Sequence, residues 1–120
     1  MSNQIVWCDI PVTDLDRAIK FYSAVLGQTV SKETYPGMEI GLLPHEGESV
    51  GGCLALMEDR KPSADGPMIY LNCEGRLDVA IAQVELNGGK VVKPKHPIGP
   101  YGFRAIVLDS EGNGIALHSK

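Results

Sequence analysis

The feature that most constrains this chain is an internal echo. Leu15-Asp16-Arg17-Ala18-Ile19 matches Leu77-Asp78-Val79-Ala80-Ile81 at four of five places, 62 positions apart. Gly27 and Gly89 share the same offset. A period of about half the chain means two copies of one supersecondary unit. The order of elements around the echo repeats as well.

The first copy opens with residues 5–12, Ile-Val-Trp-Cys-Asp-Ile-Pro-Val, a strand rich in β-branched and aromatic residues. Thr13 is the expected helix N-cap, with Asp16 three residues on. Leu15, Ala18, Ile19, Tyr22, Val25 and Leu26 then recur at helical spacing as one apolar stripe. Gly27 is placed to close the helix in a left-handed conformation. Three strands follow at about 28–34, 38–43 and 50–57, separated by Pro36-Gly37 and by residues 44–49.

Residues 58–67 are polar, carry Pro62, Gly66 and Pro67, and read as a linker. After it the pattern restarts: a strand at 68–73, then a helix marked by Leu77, Ala80, Ile81 and Val84 and closed by Asn87-Gly88-Gly89. Strands at about 90–93, 103–108 and 114–118 follow, the last two joined by a hairpin turn at 109–113. The expected fold class is therefore α+β. It is one domain over residues 1–120, with module one at about 4–57, the linker at 58–67 and module two at about 68–118. Each module is a βαβββ unit, so each sheet has one face covered by its helix and one open face. Open faces of two such sheets can curl around a cleft.

Composition narrows the function classes. The net charge is −4 and the basic residues are scattered, apart from Lys90, Lys93 and Lys95. That trio lies near an expected strand and reads as a solvated edge that discourages aggregation, with weak anion attraction as the other reading. No basic stripe or nucleic-acid motif is present, so no nucleic-acid partner is expected. The longest apolar runs, such as 53–57, are far short of a membrane span. The first four residues show no basic and apolar signal pattern. Cys8, Cys53 and Cys73 are odd in number and lack metal or disulfide spacing. Reduced thiols in a cytoplasmic protein are the expectation.

Two stretches carry a family likeness. Cys8-Asp9-Ile10-Pro11-Val12-Thr13-Asp14-Leu15-Asp16-Arg17-Ala18-Ile19-Lys20-Phe21-Tyr22, followed by Val25-Leu26-Gly27, resembles the opening of the glyoxalase / bleomycin-resistance / extradiol-dioxygenase (vicinal oxygen chelate) superfamily. Pro100-Tyr101-Gly102-Phe103 through Asp109-Ser110-Glu111-Gly112-Asn113-Gly114-Ile115-Ala116-Leu117-His118 resembles that family's final hairpin. The resemblance implies paired βαβββ modules and a homodimer. It also implies a divalent metal held by His, Glu or Gln on four cleft-facing strand positions. Matched to those motifs, the four positions hold Trp7, Ala55, Met68 (Ile69 if the match slips by one) and Ala116. None is a ligand for such a metal. His45, His96 and His118 have no metal spacing among themselves. No metal and no other cofactor is expected.

Strand alternation then sorts the open faces. Trp7 goes with Ile5 and Asp9, and Ala55 with Cys53 and Met57. Met68 goes with Tyr70 and Asn72, and Ala116 with His118. The result is an apolar, aromatic trough with a few polar groups, which suits a small organic ligand. Trp7 and Tyr70 are candidates to stack on a planar or cationic ligand. Asp9 is the candidate catalytic residue. An acid in an apolar trough either pairs or holds its proton, which fits a general base, a holder of a ligand amine, or a structural anchor. The loop from His96 to Phe103 is rich in Gly, Pro and aromatics, and reads as a lid or a rigid connection. It offers Tyr101 and Phe103 to a ligand.

Three readings follow. The first is metal-independent binding of a small organic molecule through Trp7, Asp9, Cys53, Tyr70, Asn72, Tyr101, Phe103 and His118. The second is a lyase, isomerase or dioxygenase that uses Asp9, Tyr70 or His118, or a metal at a non-standard place. The third is a relative whose cleft is filled.

Overall fold

The computed structural model describes residues 3–120. Module one runs β1 (Trp7–Val12), α1 (Leu15–Leu26), β2 (Ser31–Tyr35), β3 (Met38–Leu42) and β4 (Gly51–Leu56). Module two runs β5 (Ile69–Asn72), α2 (Leu77–Leu86), β6 (Lys90–Pro97), β7 (Phe103–Leu108) and β8 (Gly114–Ser119), with a 3-10 turn at Gly99–Tyr101. The two sheets have the same plan, β1-β4-β3-β2 and β5-β8-β7-β6. In each, the first and last strands of the module pair in parallel and the rest are antiparallel. The repeat read from the letters is a repeat of topology, and the α+β, two-βαβββ fold class stands.

Local chemistry explains most boundaries and corrects three expectations. The N-cap of α1 is Asp14, not Thr13. Asp14 is extended (φ −134°, ψ 102°) and its Oδ1 accepts from the Arg17 amide at 3.1 Å. Thr13 is diverted because its amide and hydroxyl both donate to Glu111. Gly27 closes α1 at φ +69°, with its N–H on the Ser23 carbonyl. β6 runs four residues further than its expected end at 93, so His96 lies in a strand rather than a loop. β6 is an edge strand with two register irregularities, which is where Pro94 and Pro97 are tolerated.

One core serves both modules. Ile10, Val12 and Leu54 from the first sheet pack around α1 and α2 together with Ala105, Val107, Ile115 and Leu117 from the second. The helices touch each other, and Phe21 of α1 reaches across to module two. A Cβ on Gly89 would stand 2.6 Å from the Phe21 ring and would overlap the Leu108 carbonyl. The second glycine of the repeat is thus required by close packing, whereas Gly27 is required by its φ. The helix-covered faces of both sheets turn inward to this core. The other faces lie on the outside, where Trp7 and Tyr70 remain 43% and 46% exposed.

Polar ties lock the modules in this arrangement. The Glu111 carboxylate, on the β7–β8 turn, has no exposed side-chain surface. It accepts from the Thr13 and Asp14 amides at 2.9 and 2.8 Å, from the Thr13 and Ser110 hydroxyls, and from Arg17 Nε at 2.7 Å. Beside it the buried Asp109 accepts from Tyr22 Oη at 2.5 Å, and Asn113 Nδ2 donates to the Pro11 carbonyl at 2.8 Å. Burial pushes the Glu111 pKa up, but the Arg17, Asp14, Thr13 and Ser110 donors outweigh it and hold the carboxyl down at about 2.

A carboxyl held below its unfolded value adds stability above that value and loses it as pH falls through the folded one. Glu111 should therefore contribute on the order of 2–3 kcal/mol at neutral pH. That contribution should drain away between pH 4.5 and about 2. Urea unfolding across this range should show the loss in the wild type. Glu111→Gln should be less stable at pH 7, with a flatter acid limb. Equal stabilities at pH 7 would contradict the tie.

Candidate functional site

Cross-strand register places the outward side chains in rows. On the first sheet, Trp7 stands opposite Gly51, Asp9 opposite Cys53 and Pro11 opposite Ala55. Trp7 Nε1 and Cys53 Sγ both donate to Asp9 Oδ1, at 2.9 and 3.3 Å. Asp9 is exposed, not sunk in an apolar trough. Its partners make it an anchor for the indole and the thiol. Burial, then the bond to Asp9, pushes the Cys53 thiol up to about 11.

The second sheet carries a denser constellation. His96, Arg104, His118 and Asn72 form one row across β6, β7, β8 and β5. Ile106, Ala116 and Tyr70 form the next. Arg104 Nε donates to His96 Nε2 at 2.9 Å, and Arg104 Nη1 donates to Tyr70 Oη. His96 Nδ1 lies 2.8 Å from the Pro94 carbonyl, which can only accept, so Nδ1 carries the proton and Nε2 is free to accept from Arg104. His118 sits 6.1 Å from the Tyr70 ring, and its Nε2 donates to the Tyr101 carbonyl at 2.7 Å. The Ile98 amide donates to the Gly102 carbonyl at 2.9 Å, which makes the β6–β7 connection a braced ledge.

Tyr70, Ile98, Tyr101, Arg104 and His118 line a shallow, open cavity of about 370 Å³. It is built by module two alone. A second groove, of about 590 Å³, runs between the two sheets and is lined by Cys8, Ile10, Leu43, Ile69 and Leu71, among others. Tyr70 and Asn72 border it too, so both alternating sets of β5 side chains reach it.

The structure thus brings together Tyr70, Tyr101 and His118, with Asn72 in the row of His118. It separately brings together Trp7, Asp9 and Cys53. Within one chain no hydrogen bond or ring contact links the two groups. Asn72 Oδ1 accepts from the Glu74 amide at 2.9 Å, a bond that shapes the turn into α2. Phe103 alternates with Arg104 and lies away from the cavity, with Lys95 Nζ 5.3 Å from its ring. Arg104 and His96 were missed from the sequence. The signal was available: Ala105 and Val107 point inward, so Arg104 must point outward.

The four positions matched to the family's metal ligands do not supply donors. Trp7 faces Gly51, Ala55 faces Pro11, Ala116 faces Tyr70, and Met68 precedes β5. Among the described residues of one chain, no three His, Cys, Asp or Glu side chains cluster as a metal set. The family's divalent metal does not fit these residues. No helix among the described residues is long and apolar enough to cross a membrane.

The family model of the Glyoxalase/Bleomycin resistance protein/Dioxygenase superfamily matches residues 4–117, and the chain belongs to that superfamily. Among its relatives is a glyoxylase-like domain-containing protein of Didymella fabae, 31% identical over 98% of this chain and 94% of that one. The putative glyoxylase CFP32 of Mycobacterium bovis is 27% identical over 92% of this chain, which spans 43% of its length. Among solved structures, a glyoxalase/bleomycin resistance protein from Albidiferax ferrireducens superposes with a TM-score of 0.77 at 16% identity, covering 98% and 99% of the two chains. That likeness is one of fold.

The Asp9–Cys53 contact can be checked through the thiol. Cys53 should resist iodoacetamide at pH 8, and Asp9→Asn should lower the pH at which it becomes reactive, because a negative neighbour is removed. Mass mapping separates it from Cys8 and Cys73. An unchanged pH profile for Cys53 in the variant would contradict the contact.

Proposed function

We propose that this protein binds a small organic molecule without a metal, using the outward face of module two. The observation that carries this is the 370 Å³ cavity with aromatic walls and a few placed polar groups, beside matched ligand positions that hold Trp7, Ala55, Met68 and Ala116. Its size falls in the range of ligand sites, roughly 300–1,000 Å³. Tyr70 and Tyr101 offer ring faces, while Arg104 and His118 offer the oriented polar contacts.

The reading extends to a homodimer. Each chain leaves apolar groups uncovered on both outward faces. Met38 is 53% exposed and Tyr35 48%, alongside Trp7 and Tyr70. A second copy that lays its first sheet over the Tyr70 face would deepen the cavity into a cleft and bring Trp7 and Asp9 to it. A cytoplasmic location is part of the same proposal and rests on the three free thiols.

A thermal-shift screen of planar aromatic compounds tests the central point. A true ligand at 100 times its dissociation constant should add about 2.7 kcal/mol. Tyr101→Ala, which removes a wall from an exposed ledge, should reduce that gain without unfolding the chain. Sedimentation should give a dimer. No stabilisation by any such compound would sink the binding reading, and a monomer at working concentration would sink the composite cleft.

A further inference from the structure

The sheet face that carries the cavity is charged in one sense only. Lys90, Lys93 and Arg104 supply its charges, Lys90 opposite Leu108 and Lys93 opposite Ile106, with the His96 imidazole that accepts from Arg104 beside them. Their outward neighbours on β5, β7 and β8 are Tyr70, Asn72, Ile106, Leu108, Gly114 and Ala116, none of them acidic. This occurs in a chain with 15 Asp and Glu residues against 11 Lys and Arg. The acids have been kept off this face.

Arg104 stands at its centre. Among the described residues no carboxylate lies within ion-pair distance of it, whereas Arg17 has Glu111, Lys32 has Asp16 and Lys95 has Asp78. It is nonetheless half-buried and held in place. His96 fixes its Nε, Tyr70 fixes its Nη1, and its Cζ sits 5.9 Å from the Tyr70 ring centroid. A guanidinium has five N–H donors, and these bonds use two. The group lines the cavity. A partly desolvated, pre-oriented guanidinium with spare donors and no counter-charge suits a planar oxyanion, which it can hold through two parallel bonds.

We infer that the cavity takes a small planar organic acid, its carboxylate on Arg104 and its apolar body between Tyr70, Ile98 and Tyr101. This rests on the small-molecule reading of the same cavity and names its ligand class. The volume, near the lower end of the range for ligand sites, suits a single-ring acid more than a large conjugate. Because Nε is engaged by His96, the acid would meet the outer edge of the guanidinium. The ring ledge then excludes water from one side of the ion pair.

Calorimetric titration of the full chain with a matched pair, benzoate and benzamide, tests the assignment. The two share size and ring and differ in charge. Benzoate should bind roughly tenfold or more tighter than benzamide, the scale of a charge-assisted hydrogen bond. Arg104→Gln should abolish that preference, and Arg104→Lys should retain part of it. Circular dichroism of both variants guards against loss of fold. Benzamide binding as tightly as benzoate, or an undiminished preference in Arg104→Gln, would overturn the acid assignment and leave the small-molecule cavity standing. Failure of both probes to bind up to their solubility limits would overturn the two together.

Discussion

The buried carboxylate of Glu111 sets how the two modules sit against each other. It lies on the β7–β8 turn of module two and caps two free amides at the start of α1 in module one. Arg17 supplies the counter-charge and Asp109, Tyr22 and Asn113 extend the tie into the core. A buried acid of this kind is stable only while every donor is in place, so it specifies one mutual orientation of the modules. That orientation turns both helix-covered faces inward and both open faces outward.

Much of the fold was legible because it repeats. The matched Leu-Asp-x-Ala-Ile segments and the glycines 62 residues later announced two equal units, and the sheets have identical strand order. Boundaries slipped where side chains answer to distant partners. Thr13 reads as a cap from its neighbours, but Glu111, 98 residues away, claims it. β6 reads as ending before Pro94, yet an edge strand has no need of every amide.

The site was legible residue by residue but not as an assembly. Alternation correctly set Trp7, Asp9 and Cys53 on one face and Tyr70, Asn72 and His118 on another. Which faces meet depends on how modules pack, and local pattern does not encode that. Asp9 therefore changed meaning. In a closed trough it would be an isolated acid, whereas on an exposed face with Trp7 and Cys53 as donors it is an anchor. Arg104 escaped notice because a lone arginine in a strand says little until its neighbours prove to be His96 and Tyr70 rather than carboxylates.

The superfamily's four matched ligand positions carry no metal donors in this chain, while a polar and aromatic cavity lies on the face of Tyr70. Metal content per chain, measured on protein purified without chelators and dialysed against metal-free buffer, tests this most directly. Far less than one zinc, iron, nickel or manganese per chain is expected, with ligand stabilisation unchanged by chelator treatment. A stoichiometric metal whose removal abolishes ligand stabilisation would contradict it.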